Sequence, residues 1–237
     1  MPPSSLRSRL PLGVIKSPTV LVASDDAFEL ATLSAALRLH AINVVAEAQT
    51  EEIAENLHKF LSPEVVIIDL QFASQEALSL VNKFRKVNPG LGIVLMTACP
   101  DLRLLGLVEK QIPTGSQVIL KKSVADLSIV SQAISNSLVA VAEKKKATWI
   151  DSHGSLHENA FRSVLSDFTD IQIETFRLLA NGLSNSEIAK VRFVSEKSVE
   201  QIVARIAQHL LVVPDRAQNM RVALTGEYFK WIGSPRH

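Results

Sequence analysis

The sequence predicts an α/β fold, a doubly wound parallel sheet of five strands, followed by a small all-α unit of four helices. Three observations predict it. Short apolar runs alternate with helical periods through the first two-thirds of the 237-residue chain. The runs VLVA, VVII and IVLM are continuous rather than alternating, as in strands buried on both faces of a helix-covered sheet. The last third carries helical periods alone, joined by very short turns.

Taken in order, residues 19–23, 43–46, 65–68, 92–97 and 117–120 read as strands. Helical periods at 28–39, 51–61, 75–86 and 102–110 lie between them, and another follows at 125–142. Strict alternation of strand and helix argues for right-handed crossovers and a doubly wound sheet. In that architecture the functional site lies at the carboxyl ends of the strands, beside the topological switch point.

Those ends carry acids. The first strand ends in Ser24-Asp25-Asp26, the third in Asp69, the fourth in Thr97 and the fifth in Lys121-Lys122. Converging carboxylates repel and raise one another's pKa unless a cation joins them. Mg²⁺ commonly takes one or two carboxylates and keeps several waters, which leaves room for a phosphoryl oxygen. Asp69 can then attack phosphorus as a carboxylate nucleophile and form an acyl phosphate. A lysine ammonium and a threonine hydroxyl would stabilise the added oxygens.

In the all-helical unit, Ile173, Phe176, Leu179 and Ala180 form one stripe, which stops at Asn181-Gly182, a favourable left-handed cap. Ser184 starts a second helix, and Glu187 three residues on predicts a capping box. Val194-Ser195 restarts the chain. Val199, Val203, Ile206 and Leu210 give the third helix a buried face, opposite Lys197, Gln201, Ala204, Arg205 and Gln208. A fourth helix is expected over 217–231, with Met220, Val222, Ala223, Tyr228 and Trp231. A helix-turn-helix needs this layout, because the helix that enters a major groove must pack on one side and be polar on the other.

Residues 169–203 resemble the C-terminal DNA-binding module of the LuxR/NarL/FixJ family. The run Gly182 to Ala189, GLSNSEIA, is the most specific part, supported by Thr169, Gln172, Glu174, Leu178, Ser195, Ser198 and Val199. Residues 18–142 resemble the receiver domain of two-component response regulators, a flavodoxin-like sheet. That resemblance implies Asp69 as phosphoacceptor for a sensor histidine kinase, Asp25 and Asp26 with Asp69 as Mg²⁺ ligands, and Thr97 as switch hydroxyl. It also implies Lys122 as the family's lysine, since Gly115-Ser116 begins seven positions ahead as the family's Gly-Ala does; Lys121 is the alternative. Together the two resemblances imply a homodimeric transcription regulator of double-stranded DNA, not an enzyme, in which phosphorylation controls dimerisation and binding. The alternative is a phosphorylation-independent transcription factor whose receiver-like domain is a dimerisation scaffold. A phosphohydrolase is disfavoured, because Gln71 stands where a second catalytic acid would lie.

Departures from the family pattern are specific. The aromatic three residues before the lysine is Ile119, or Val118 if Lys121 is the lysine. Phe72-Ala73 replaces Met-Pro after the acceptor, which removes a rigid turn. On the third helix, Glu200 and Ile202 replace lysine and a polar residue. Glu200 either accepts a cytosine N4 hydrogen bond or pairs with Lys197; Ile202 either extends the packed face or meets a thymine methyl. The remaining DNA-contact candidates are Lys197, Gln201 and Arg205, with Lys190 and Arg192 near the backbone.

Composition bounds the rest. A net charge of +1 supplies no global cationic field, so DNA affinity must come from local Lys and Arg doubled by dimerisation. A single cysteine, Cys99, excludes an internal disulfide framework and fits the cytoplasm. No apolar run reaches transmembrane length, and the opening stretch lacks the apolar centre of a secretory signal. The expected organisation is a basic disordered arm over 1–17, a receiver-like domain over 18–142, a linker over 143–167 and a helix-turn-helix domain over 168–237.

Overall fold

The computed structural model describes residues 17–72, 76–124, 126–150, the backbone of 156–157, 165, 167–213 and 219–232. All of the expected basic arm except Ser17 lies outside the described residues, as does much of the second half of the expected linker.

The sheet has the order β2-β1-β3-β4-β5-β6-β7. Its strands are β1 Thr19–Ala23, β2 Asn43–Ala48, β3 Val65–Asp69, β4 Gly92–Thr97, β5 Gln117–Leu120, β6 Thr148–Ile150 and β7 Leu156–His157. The first six run parallel, and β7 is antiparallel to β6. Helices α1 Ala27–Leu39, α2 Glu51–Leu61, α3 Ala77–Val87 and α4 Leu127–Ala142 cover it. The strand periodicity of two sorts the buried side chains by face. Val65, Ile67, Val94 and Ile119 join residues of α1 and α4. Val66, Ile68, Leu95 and Val118 join those of α2 and α3.

Two expectations need correction. The sheet does not end at five strands, because Thr148–Ile150, within the expected linker, adds to the β5 edge. The run TWI combines β-branched and aromatic residues that suit a pleated surface. The Thr148 N–H donates to the Ser116 carbonyl at 2.9 Å, and its hydroxyl donates to Gln117 Oε1 at 2.9 Å in a buried pair. The expected helix over 102–110 is instead two 3₁₀ turns, Leu102–Leu105 and Glu109–Gln111. Gly106, at φ 73°, ends the first in the left-handed region that favours glycine. Leu102, Leu104 and Leu105 are all buried, a spacing that no single helical stripe provides.

The all-α unit comprises α5 Asp170–Ala180, α6 Asn185–Arg192, α7 Glu196–His209 and α8 Met220–Ile232. Thr169 caps α5 in a full reciprocal box with Gln172. At Ser184 only half of the expected box forms: its hydroxyl accepts from the Glu187 N–H, while the Glu187 carboxylate pairs with Lys190 at 2.6 Å. Gly182 supplies the left-handed turn after α5 at φ 88°. Phe176 is fully buried and meets the Tyr228 ring edge-on at 5.3 Å. Such an aromatic pair is worth about 0.5–1.5 kcal/mol beyond the area it buries.

The sheet and the helical unit share one core. The cluster on the α2/α3 face continues through Leu102, Leu104 and Leu105 to Phe168, Phe176, Tyr228 and Ile232. The Tyr228 hydroxyl donates to the Leu104 carbonyl at 2.6 Å, so the turn that replaces a helix is the seat on which α8 rests.

Candidate functional site

At the carboxyl end of β3, Asp69 is 2% exposed. Its Oδ2 lies 2.6 Å from Lys121 Nζ, and its Oδ1 accepts the Gln71 N–H at 3.1 Å. Lys121 also meets Glu29 Oε1 of α1 at 2.8 Å. The β1–β3 register pairs Ala23 with Ile68, so the next pair along is Ser24 and Asp69. The Ser24 hydroxyl in turn donates to Glu29 Oε2 at 3.4 Å. A buried carboxylate is costly unless paired, and removing one partner of such a pair typically costs about 3–5 kcal/mol. Lys121 supplies that pairing here.

The lysine that meets Asp69 is Lys121, whereas the expected Lys122 does not reach it. Alternation along β5 places Ile119 on the α1/α4 face with Ile67, and Lys121 continues that side, where Asp69 follows Ile67. Lys122 falls on the other parity and is exposed. With Lys121 as the lysine, the position three residues before it is Val118. Thr97 closes β4 as expected, but its parity is that of Leu95, on the α2/α3 face. Its hydroxyl accepts the Cys99 N–H at 3.0 Å rather than reaching Asp69. Glu29 was not legible in the sequence as a site residue; it acts because the first turn of α1 folds back over the strand ends.

Of the three acids expected to hold a cation, Asp26 also caps a helix. It is the N-cap of α1, accepting the Glu29 N–H at 2.9 Å through Oδ1. Among the described residues no group of three metal-ligating side chains converges. Asp69 is buried and Asp25 exposed, and Mg²⁺ commonly takes one or two carboxylates. Chemically, the arrangement presents a carboxylate oxygen able to bond an electrophilic phosphorus, beside an ammonium able to stabilise the oxygens so gained.

The second candidate surface is α7. Val199, Val203, Ile206 and Ala207 are buried, whereas Lys197, Gln201 and Arg205 are exposed at successive intervals of four and form one line along the helix. Lys190 is exposed at the end of α6, paired with Glu187. Arg192 is not at this surface. Its side chain is 8% exposed, its Nε lies 3.2 Å from Glu174 Oε2, and its Nη1 donates to Thr175 Oγ1 at 2.8 Å. It ties α6 to α5, a correction to its expected place near a phosphate backbone. Ile202 packs on the core, which settles it as an extension of the buried face.

Between the two surfaces lies a charge cluster that sequence reasoning missed. Asp101, 1% exposed, holds Arg103 through both oxygens at 2.8 and 3.0 Å. Arg103 donates onward to the Leu165 and Phe168 carbonyls at 3.0 and 3.2 Å and to Asp170 Oδ1 at 2.9 Å. These contacts raise the guanidinium pKa further, Asp101 first.

The sequence model of the family described as bacterial regulatory proteins, luxR family, matches residues 166–223. The chain is 24% identical over 182 residues to response regulator protein VraR of Staphylococcus saprophyticus, covering 75% of this chain and 81% of that one. It is 28% identical over 120 residues to a cyclic di-GMP phosphodiesterase of Thermotoga maritima, covering 51% of this chain; the match spans only 31% of that relative's length. Among solved structures, the two-component response regulator RcsB in complex with DNA superposes with a TM-score of 0.50 at 20% identity, over 92% of this chain and 100% of that one. That likeness is one of fold. No helix among the described residues is long and apolar enough to cross a membrane.

Proposed function

We propose that the chain is a response regulator of the LuxR/NarL/FixJ family, and that it regulates transcription by binding double-stranded DNA under control of phosphorylation at Asp69. The observation that carries the reading is the buried Asp69–Lys121 pair at 2.6 Å, joined in one chain to a helix-turn-helix whose polar stripe is exposed.

In the proposed transfer, an Asp69 oxygen bonds the phosphorus of a phosphohistidine on a sensor histidine kinase. The N–P bond breaks, and the imidazole keeps the electron pair. Lys121 exchanges the carboxylate for a phosphoryl oxygen, while Glu29 holds the ammonium at the strand ends. Mg²⁺, when bound by Asp69 with Asp25 and Asp26, would neutralise phosphoryl oxygens as they gain charge. Loss of the Lys121–Asp69 attraction and gain of phosphoryl charge bias a two-state element toward a homodimer. Paired modules then reach half-sites about one helical turn, roughly 34 Å, apart. Lys197, Gln201 and Arg205 face the groove, and Lys190 lies nearer the phosphates.

The test is the solution mass with Mg²⁺, before and after beryllofluoride, with Asp69→Asn alongside. The expected result is a shift from monomer to dimer in the parent alone. A dimer in every sample would discard phosphorylation control in favour of a constitutive scaffold.

A further inference from the structure

We propose that Glu200 is a specificity-determining residue of α7, accepting a hydrogen bond from the N4 amino group of a cytosine. The inference rests on the DNA-binding reading above. Glu200 is exposed, three residues after Lys197 and four before Ala204, and so lies within the outward stripe rather than at its end.

Other acids of the helical unit hold cations: Glu174 meets Arg192 at 3.2 Å, Glu187 meets Lys190 at 2.6 Å, and Glu227 meets Lys230 at 2.5 Å. Among the described residues Glu200 has no such partner, and Lys197, within reach on the same helix face, is not used for one. Glu196 is accounted for by its place in the first turn of α7, where the helix dipole favours an acid. Glu200 lies a turn beyond that help.

A carboxylate carried unpaired between two phosphate backbones weakens binding to every sequence that offers it no donor. It strengthens binding only where the base edge offers a donor. Guanine presents N7 and O6 acceptors in the major groove and thymine presents O4, so both repel it. Adenine offers N6 but sets the N7 acceptor beside it. Cytosine offers its amino group alone. Glu200 therefore acts by exclusion as well as by attraction.

The experiment is selection from a randomised duplex library with the full chain, with and without beryllofluoride, for the parent, Glu200→Ala and Glu200→Gln. The parent should enrich a motif holding a cytosine with roughly tenfold preference. Glu200→Ala should lose that preference and bind unrelated duplexes more tightly. Glu200→Gln should move the preference toward adenine, which glutamine reads through N6 and N7. One motif shared by all three proteins would overturn the assignment and leave DNA binding standing. No motif enriched by the parent would overturn both.

Discussion

The side-chain amide of Gln71 donates to the Ile232 carbonyl at 3.3 Å, while the backbone N–H of the same residue holds the Asp69 carboxylate at 3.1 Å. One residue thus touches both the acid at the end of β3 and the last turn of α8. Gln71→Ala should remove the second contact and keep the first. Amide exchange in the last turn of α8 should quicken by the equivalent of about 1 kcal/mol, with α5 to α7 unchanged. Hydrogen exchange followed by mass spectrometry checks this, and uniform protection across α8 would show the contact to be idle.

Arg103 is the stronger tie. Arg103→Ala leaves Asp101 buried without its cation, which should cost about 3–5 kcal/mol. Arg103→Lys should recover little, since an ammonium cannot reproduce the two-pronged contact with Asp101 or reach both carbonyls. Thermal unfolding of the two variants measures this; full rescue by lysine would reduce the cluster to simple charge.

Tyr228 is the chain's only tyrosine, so its ionisation can be followed by absorbance without interference. Burial pushes its phenol up to about 12, with Cys99 adding to the effect and Arg177 opposing it. The folded protein should therefore titrate about two pH units above the urea-unfolded chain. Because the folded value is the higher, the stabilising effect is complete below pH 10 and is lost as pH rises toward 12. A native midpoint near 10 would mean that α8 does not stay seated on Leu104.

Leu211 adopts φ 56° in the turn after α7 with its side chain 86% exposed. A branched side chain in the left-handed region costs about 1–2 kcal/mol, and this one buries nothing in return. Leu211→Gly should stabilise the chain by about 1 kcal/mol and raise Tm by about 2–4 °C. An unchanged or lower Tm would show that glycine's freedom in the unfolded chain cancels the relief.

The alternation of apolar runs and helical periods made the first five strands and the helices around them legible, because each depends on patterning within its own residues. Three features were not legible for a common reason. Lys121 and Lys122 are adjacent and chemically alike, and only the face on which β5 presents Ile119 separates them. Thr148–Ile150 is too short to declare itself a strand until Gln117 and Ser116 are beside it. Residues 102–105 look helical by composition, yet the docking of Tyr228 and Phe168 demands that Leu102, Leu104 and Leu105 all turn inward. Arg192 fails likewise: its position in α6 was clear, but not that Glu174 and Thr175 would draw it away from solvent.

The extension of the sheet by β6 bears on how such proteins recombine. A segment that merely connects two modules can be cut or exchanged without harm to either. Here Thr148–Ile150 is hydrogen-bonded along β5, and Trp149 is 4% exposed. A receiver excised after residue 142 would bare the β5 edge and invite pairing between copies. Grafts that treat this chain as two interchangeable cassettes should therefore be joined beyond residue 157, with the seventh strand left to its first owner.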